Sequence, residues 1–381
     1  MASTFVELCL HEIFKHFAVS EDSNEFNCNR QQLFHFALVN RHWCNTAIPL
    51  LWRRPFPLIS EKASAIFIST LLNCFDKDEQ ESRPLFQYNI FIKQLSLGSL
   101  SVAIFNWTNS ECYHNHNKQE SRKNDPPKSL LGKLKTIRLN RSKSKRYHNQ
   151  QESQKNYNPE SLLETFKAIC HNLIDSTTNT FLEIEFKDCN YNYNIFQIPN
   201  SKTSLEQLRS LTISLTDSAE LLESTSKTCP NLSTLEIIFS LSLFSETCQL
   251  LSYLSSFTNL KFLRIDCGTY IGDQFINELG KNLSKRLETF SIKGYLKFSA
   301  DSLKLFLHGA KGIHFKSLEF PYSHISDEHV EIILEAINDP NLDVLIQQIE
   351  APLTSNQLKK CKDHGIALKN TCSCITCEFV S

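Results

Sequence analysis

The residues best equipped for chemistry are thiols and an imidazole near the end of the chain. Cys372-x-Cys374-x-x-Cys377 follows Cys361 and His364. Three thiolates and one imidazole could hold zinc tetrahedrally. Only one C-x-x-C pair is present, and no second pair lies at a finger-like distance. Free thiols are therefore the expectation, and no metal ligand is assigned. A second group, Arg141-Ser-Lys143-Ser-Lys145-Arg146, has the charge of a nuclear-localisation or nucleic-acid patch. No aromatic platform recurs beside it, as single-strand binding would want. Charge runs are usually solvated, so no nucleic-acid partner is expected. The thirteen histidines are scattered, and no H-E-x-x-H, G-x-S-x-G, Walker loop or G-x-G-x-x-G occurs. Nothing singles out a nucleophile with its base. The expectation is a protein without a catalytic residue or cofactor, whose work is binding.

The totals agree with that reading. The chain has 381 residues, is 41% apolar and 21% charged, and carries a formal charge of -1. No global field recruits nucleic acid or membrane. No apolar run approaches the ~18–20 residues needed to span a bilayer, so no membrane partner is expected. The opening MASTFVELCLHEIFKHF contains Glu7 and Glu12 and lacks the basic start of a signal peptide. A cytoplasmic location is expected, with the nucleus also open. In such a reducing compartment the fourteen cysteines read as small apolar residues and not as a disulfide framework.

The elements that would present a binding surface come next. Phe5, Cys9, Ile13 and Phe17 recur at steps of four, with Leu10 and Phe14 beside them, and predict an amphipathic helix over 5–17. Thr4 and Glu7 have capping-box spacing. The polar stretch SEDSNEFNCNR reads as a loop. From Gln32 the pattern resumes: Trp43, Ala47 and Leu51 are four apart, as are Cys44, Ile48 and Trp52. Pro49 should kink or end this helix. The unit has three helices in about fifty residues, too few for an independent core. Its two tryptophans are anchors for a following domain or a partner.

The segment "CLHEIFKHF … FALVNRHWCNTAIPLLWRRPF" resembles an F-box. Leu10, Ile13 and Phe14 match that family's first helix. Val39, Arg41 and Trp43 match its V-x-R-x-W helix, and Leu51 with Trp52 its L-W close. Phe5-Val6 stands where Leu-Pro is usual, and Leu8 where Glu is usual. The resemblance implies docking onto a Skp-type adaptor carried by a cullin–RING ubiquitin ligase. The contacts it implies are Leu10, Ile13, Phe14, Phe17, Val39, Arg41, Trp43, Leu51 and Trp52.

After Ser60 the pattern apolar-x-x-apolar-x-apolar recurs. Copies begin at Ile92/Leu95/Leu97, Leu134/Ile137/Leu139, Phe181/Ile184/Phe186 and Leu208/Leu211/Ile213. Others are Leu232/Leu235/Ile237, Leu260/Leu263/Ile265, Leu287/Phe290/Ile292 and Phe315/Leu318/Phe320, and Leu342 with Leu345 begins a ninth. The middle residues are separated by 42, 47, 27, 24, 28, 27, 28 and 27 positions. A period of about 20–29 residues belongs to leucine-rich repeats. Helical patterns such as GDQFINELGKNL, ADSLKLFLHGA and SDEHVEIILEAIN alternate with the strands, and Ser326 is a good helix start. Cys189 and Cys267 resemble the cysteine-bearing type of repeat.

The expected fold is α/β: a leucine-rich-repeat solenoid, a horseshoe with a parallel inner sheet, preceded by a small all-helical module. The expected division is module 1–56, helical linker 57–90, solenoid 91–352 and tail 353–381, with polar insertions at 106–128 and 140–159. Outward strand positions are the expected target surface: Thr212, Ser214, Glu236, Ile238, Arg264, Asp266, Ser291, Lys293 and Glu319. The implied function is substrate recognition for a ubiquitin ligase, which raises a target's effective concentration without bond chemistry. The alternative is an interaction scaffold unconnected with ubiquitin.

Overall fold

The computed structural model describes residues 2–18, 23–56, 61–75, 84–109, 159–175, 180–187, 189, 193–215, 220–239, 251–321, 326–336 and 343–347, with short pieces between 354 and 368. The chain divides into two compact units, residues 1–205 and 206–381.

The first unit opens with α1 (Ala2–Ala18), α2 (Ser23–Ala37) and α3 (Arg41–Arg53). Two of the local expectations need correcting, and a third in part. Helix α1 is already under way at Thr4, so Thr4 and Glu7 lie inside it and do not cap it. Helix α2 takes up most of the stretch expected as a loop. A period read from apolar residues is blind to a polar turn, whose backbone bonds form regardless of side-chain polarity. Helix α3 runs through Pro49 without ending. Proline removes one intrahelical donor and leaves the other bonds in place, and both ends of α3 are secured. Asn40 Oδ1 accepts from the Trp43 amide at 2.9 Å, and the Arg30 guanidinium donates to the carbonyls of Leu51 (3.4 Å) and Arg54 (3.1 Å).

Helix α4 (Glu61–Phe75) and a 3₁₀ turn (Tyr88–Phe91) follow. Strand β1 (Gln94–Ser96) leads into α5 (Leu97–Asn109), which occupies the start of the expected first insertion. Then come α6 (Pro159–Ile174), β2 (Glu183–Glu185) and α7 (Ser201–Leu205). Strands β1 and β2 are parallel neighbours, with Leu95 opposite Ile184. The copy expected at 134–139 lies outside the described residues.

The second unit is a seven-stranded, all-parallel sheet in which each strand lies beside its successor. Its order is β3 (Ser210–Leu215), α8 (Glu220–Thr228), β4 (Thr234–Phe239), β5 (Phe262–Ile271), α9 (Asp273–Lys281) and β6 (Thr289–Leu296). It continues through α10 (Ala300–Gly309), β7 (Ser317–Pro321), α11 (Asp327–Ala336), β8 (Asp343–Gln347) and β9 (Ala367–Leu368).

The apolar triplets form the core of both units. All three members are buried at Ile92, Phe181, Leu208, Leu232, Leu260 and Leu287 and their partners; only Phe315 is half-exposed in its own triplet. Leu211, Leu235, Leu263, Phe290 and Leu318 form one continuous row across five strands. The next member of that row is Val344, and Leu345 pairs with Glu319. The ninth copy is thus one residue out of the expected phase. In register, Val344 takes the place expected of Leu345.

Backbone groups tie each repeat to the next. The carbonyls of Arg209, Ser233, Lys261 and Glu288 each accept two amides from the following strand. Asn231 and Asn259, one residue before their triplets, donate to the carbonyls of Glu206 (2.8 Å) and Pro230 (2.9 Å) in the preceding turn.

Candidate interaction surfaces

The three opening helices close over a small core of their own. Phe14, only 1% exposed, meets Leu33, Ala37, Ala47 and Leu50, and Leu10, Phe17, Phe36, Trp43 and Leu51 pack half-buried around them. The ring of Phe14 stacks on Phe36 at 4.8 Å and takes the edge of Trp43 at 5.3 Å. Trp52 turns the other way, stacking on Phe67 (5.2 Å) and lying tilted against Tyr88 (4.5 Å).

The nine residues that the resemblance marks for docking therefore divide. Phe14 is sealed inside. Leu10, Phe17, Trp43, Leu51 and Trp52 serve packing first and show only part of their surface. Ile13 (52% exposed), Val39 and Arg41 are open to solvent. Three further exposed apolar side chains, Leu8, Phe34 and Leu38, join them on this module. The apolar period hid Phe34 and Leu38. The usable signal was Asn40, a helix-start residue whose position places Leu38 and Val39 in a turn.

The second surface is the open face of the sheet in residues 206–381. Alternation along each strand puts Thr212, Glu236, Arg264, Ser291 and Glu319 in one cross-strand row and Ser214, Ile238, Asp266 and Lys293 in another. Eight of these nine are at least partly open, as expected. Ser291 is the exception at 4% exposure: its short side chain lies between the longer ones of Arg264 and Glu319. Polar contacts run along both rows. Thr212 Oγ1 donates to Glu236 (3.3 Å), Arg264 pairs with Glu236 (3.8 Å), and Lys293 pairs with Asp266 (3.1 Å). Phe262, 44% exposed, stands one step earlier on the same face.

Helix starts on the far side of the strands are linked in series. Asp273 accepts the Ser299 amide at 2.6 Å, and that bond is the main reason its carboxyl titrates below the ordinary range. His329 Nε2 lies 3.0 Å from the Phe298 carbonyl, and its Nδ1 lies 2.6 Å from Ser326 Oγ. A carbonyl only accepts, so Nε2 carries the proton and Nδ1 receives the Ser326 hydroxyl. This is a helix cap, with the imidazole in the place a glutamate holds in a capping box.

The sulfur chemistry is quiet. Cys74, Cys170, Cys229 and Cys267 are buried free thiols. Burial pushes Cys229 up to about 12 and raises Cys170 and Cys267 as well. Among the described residues no group of three or more His, Cys, Asp and Glu could hold a metal ion. Cys361, His364, the tail cysteines and Arg141–Arg146 lie outside the described residues. No described helix is long and apolar enough to cross a membrane. No known protein family matches the chain, and no curated protein matches it.

Proposed function

We propose that this protein is a substrate-recognition subunit of an SCF-type cullin–RING ubiquitin ligase. Its opening helices dock on a Skp-type adaptor, and its parallel repeats hold a target protein for ubiquitin-dependent degradation. One observation carries the reading. The three-helix module satisfies its own core with Phe14 yet keeps Leu8, Ile13, Phe34, Leu38 and Val39 exposed. Exposed apolar side chains concentrated on a small element mark an interaction site. The F-box-like spacing of Leu10, Ile13, Val39, Arg41 and Trp43 supports a Skp-type adaptor as the partner.

The docking contacts are then Ile13 and Val39 with the exposed Leu8, Phe34 and Leu38, while Phe14 and Trp52 shape the module from within. Co-purification of the full chain with a Skp-type adaptor tests this. Ile13→Asp and Val39→Asp should each weaken adaptor binding by about tenfold or more, or ~1.4 kcal/mol. Helical content by circular dichroism should stay unchanged. If the wild type fails to bind at micromolar concentration, the chain is a scaffold without a ubiquitin connection. Capture of partners with the proteasome blocked would then identify what the repeats hold.

A further inference from the structure

The turns that lead into the parallel strands of residues 206–381 carry a lopsided charge. Arg209, Lys261, Lys285, Arg286, Lys311 and Lys316 are all exposed there. Among the described residues of these turns they face two carboxylates, Glu206 and Glu288. The local balance is six positive charges against two negative, a surplus of four, within a chain whose formal charge is -1.

The cluster is contiguous. Glu288 lies between Lys261 (3.1 Å) and Lys316 (2.6 Å). Lys285 Nζ donates to the Lys311 carbonyl (3.1 Å), and Arg286 donates to Asn259 Oδ1 (2.7 Å). Among the described residues, only Lys261 and Lys316 have a carboxylate partner here, and they share it. Arg209, Lys261 and Lys316 each hold the position just before a strand, on alternate strands. At about 4.8 Å per strand, successive cations stand roughly 10 Å apart.

Helix ends explain part of this charge. Helices α8, α9 and α10 all finish at this edge, and each carries about half a negative charge there. Three such ends neutralise about 1.5 of the surplus, which leaves roughly +2.5. Local compensation is therefore too small to account for the whole cluster.

We propose that this edge binds an acidic segment of a partner protein. Discrete carboxylates fit a comb of separated cations, and exposed Phe262, next to Lys261, adds an apolar contact beside them. A nucleic-acid backbone fits less well. Glu288, between Lys261 and Lys316, opposes a continuous line of phosphates, and among the described residues Phe262 is the one exposed aromatic ring beside the row, where base stacking would want repeated rings. The edge belongs to the repeats and not to the three-helix module, so failure of adaptor binding would leave it standing.

The test uses the full chain, a fluorescein-labelled peptide of alternating Glu and Ala, its Gln–Ala counterpart, and an oligothymidylate of equal charge. The acidic peptide should bind and the neutral one should not. Affinity should fall as salt rises from about 0.01 M to about 0.15 M, where the screening length drops from about 30 Å to about 8 Å. The triple variant Lys285→Glu, Arg286→Glu, Lys311→Glu should lose about tenfold or more in affinity. The control Lys297→Glu, Lys304→Glu, on exposed positions away from this edge, should bind as the wild type does. Matching circular dichroism of all variants shows that the fold is kept. Equal binding by the triple variant, no binding at low salt, or tighter binding of the oligothymidylate would each overturn the proposal.

Discussion

Neighbouring apolar residues in α1 have opposite fates. Phe14 and Ile13 are adjacent in sequence, yet one is almost fully buried and the other about half exposed. The spacing alone treats both as docking candidates. Packing separates them, since only Phe14 stacks on Phe36 and touches Trp43. Phe14→Ala should therefore destabilise the protein by about 3–5 kcal/mol, through lost burial and the cavity left behind. Ile13→Ala should change stability by less than about 0.5 kcal/mol. Chemical denaturation followed by tryptophan fluorescence reports this directly, because Trp43, Trp52 and Trp107 all lie in residues 1–205. A loss for Ile13→Ala comparable to that for Phe14→Ala would mean that Ile13 is a core residue and offers no docking surface.

At the scale of elements, helices α9 and α10 approach each other closely through two glycines. A Cβ on Gly280 in α9 would come within 2.8 Å of the Phe306 Cα in α10. One on Gly309 would come within 2.8 Å of the Gly280 carbonyl carbon. Alanine in a helix interior normally gains up to about 1 kcal/mol over glycine. Here the new methyl group meets backbone, which cannot turn aside. Overpacking of about 1–3 kcal/mol outweighs the propensity gain. Gly280→Ala and Gly309→Ala should each lower the melting temperature, measured by circular dichroism. A rise in either would show that α9 and α10 part easily.

For the molecule as a whole, the parallel ladder makes interactions local. Leu263 and Phe290 are opposite each other on adjacent strands, while Leu211 and Leu318 stand four strands apart, or about 19 Å. In a repeat array each unit touches its neighbours alone. The effects of Leu211→Ala and Leu318→Ala on stability should add within about 0.5 kcal/mol. Leu263→Ala with Phe290→Ala should deviate by more than that. Double-mutant cycles from urea unfolding measure both. Strong coupling of the distant pair would show that the seven-stranded unit unfolds through contacts beyond its neighbours.

The sequence by itself determined the repeating unit. Its phase was legible because burial acts on every copy alike: the same apolar triplet must face inward each time, so the period survives in the order of residues. Leu211, Leu235, Leu263, Phe290 and Leu318 fall into one row as their spacing predicts. Only the tertiary structure decided the surfaces. A helix pattern reports which residues are apolar, and packing selects which of them are covered: Phe14 inside, Ile13 and Leu38 outside, Trp52 turned onto Phe67. Charge behaved likewise, since Arg209, Lys261 and Lys316 are dozens of residues apart in the chain and become neighbours along one edge when the strands align.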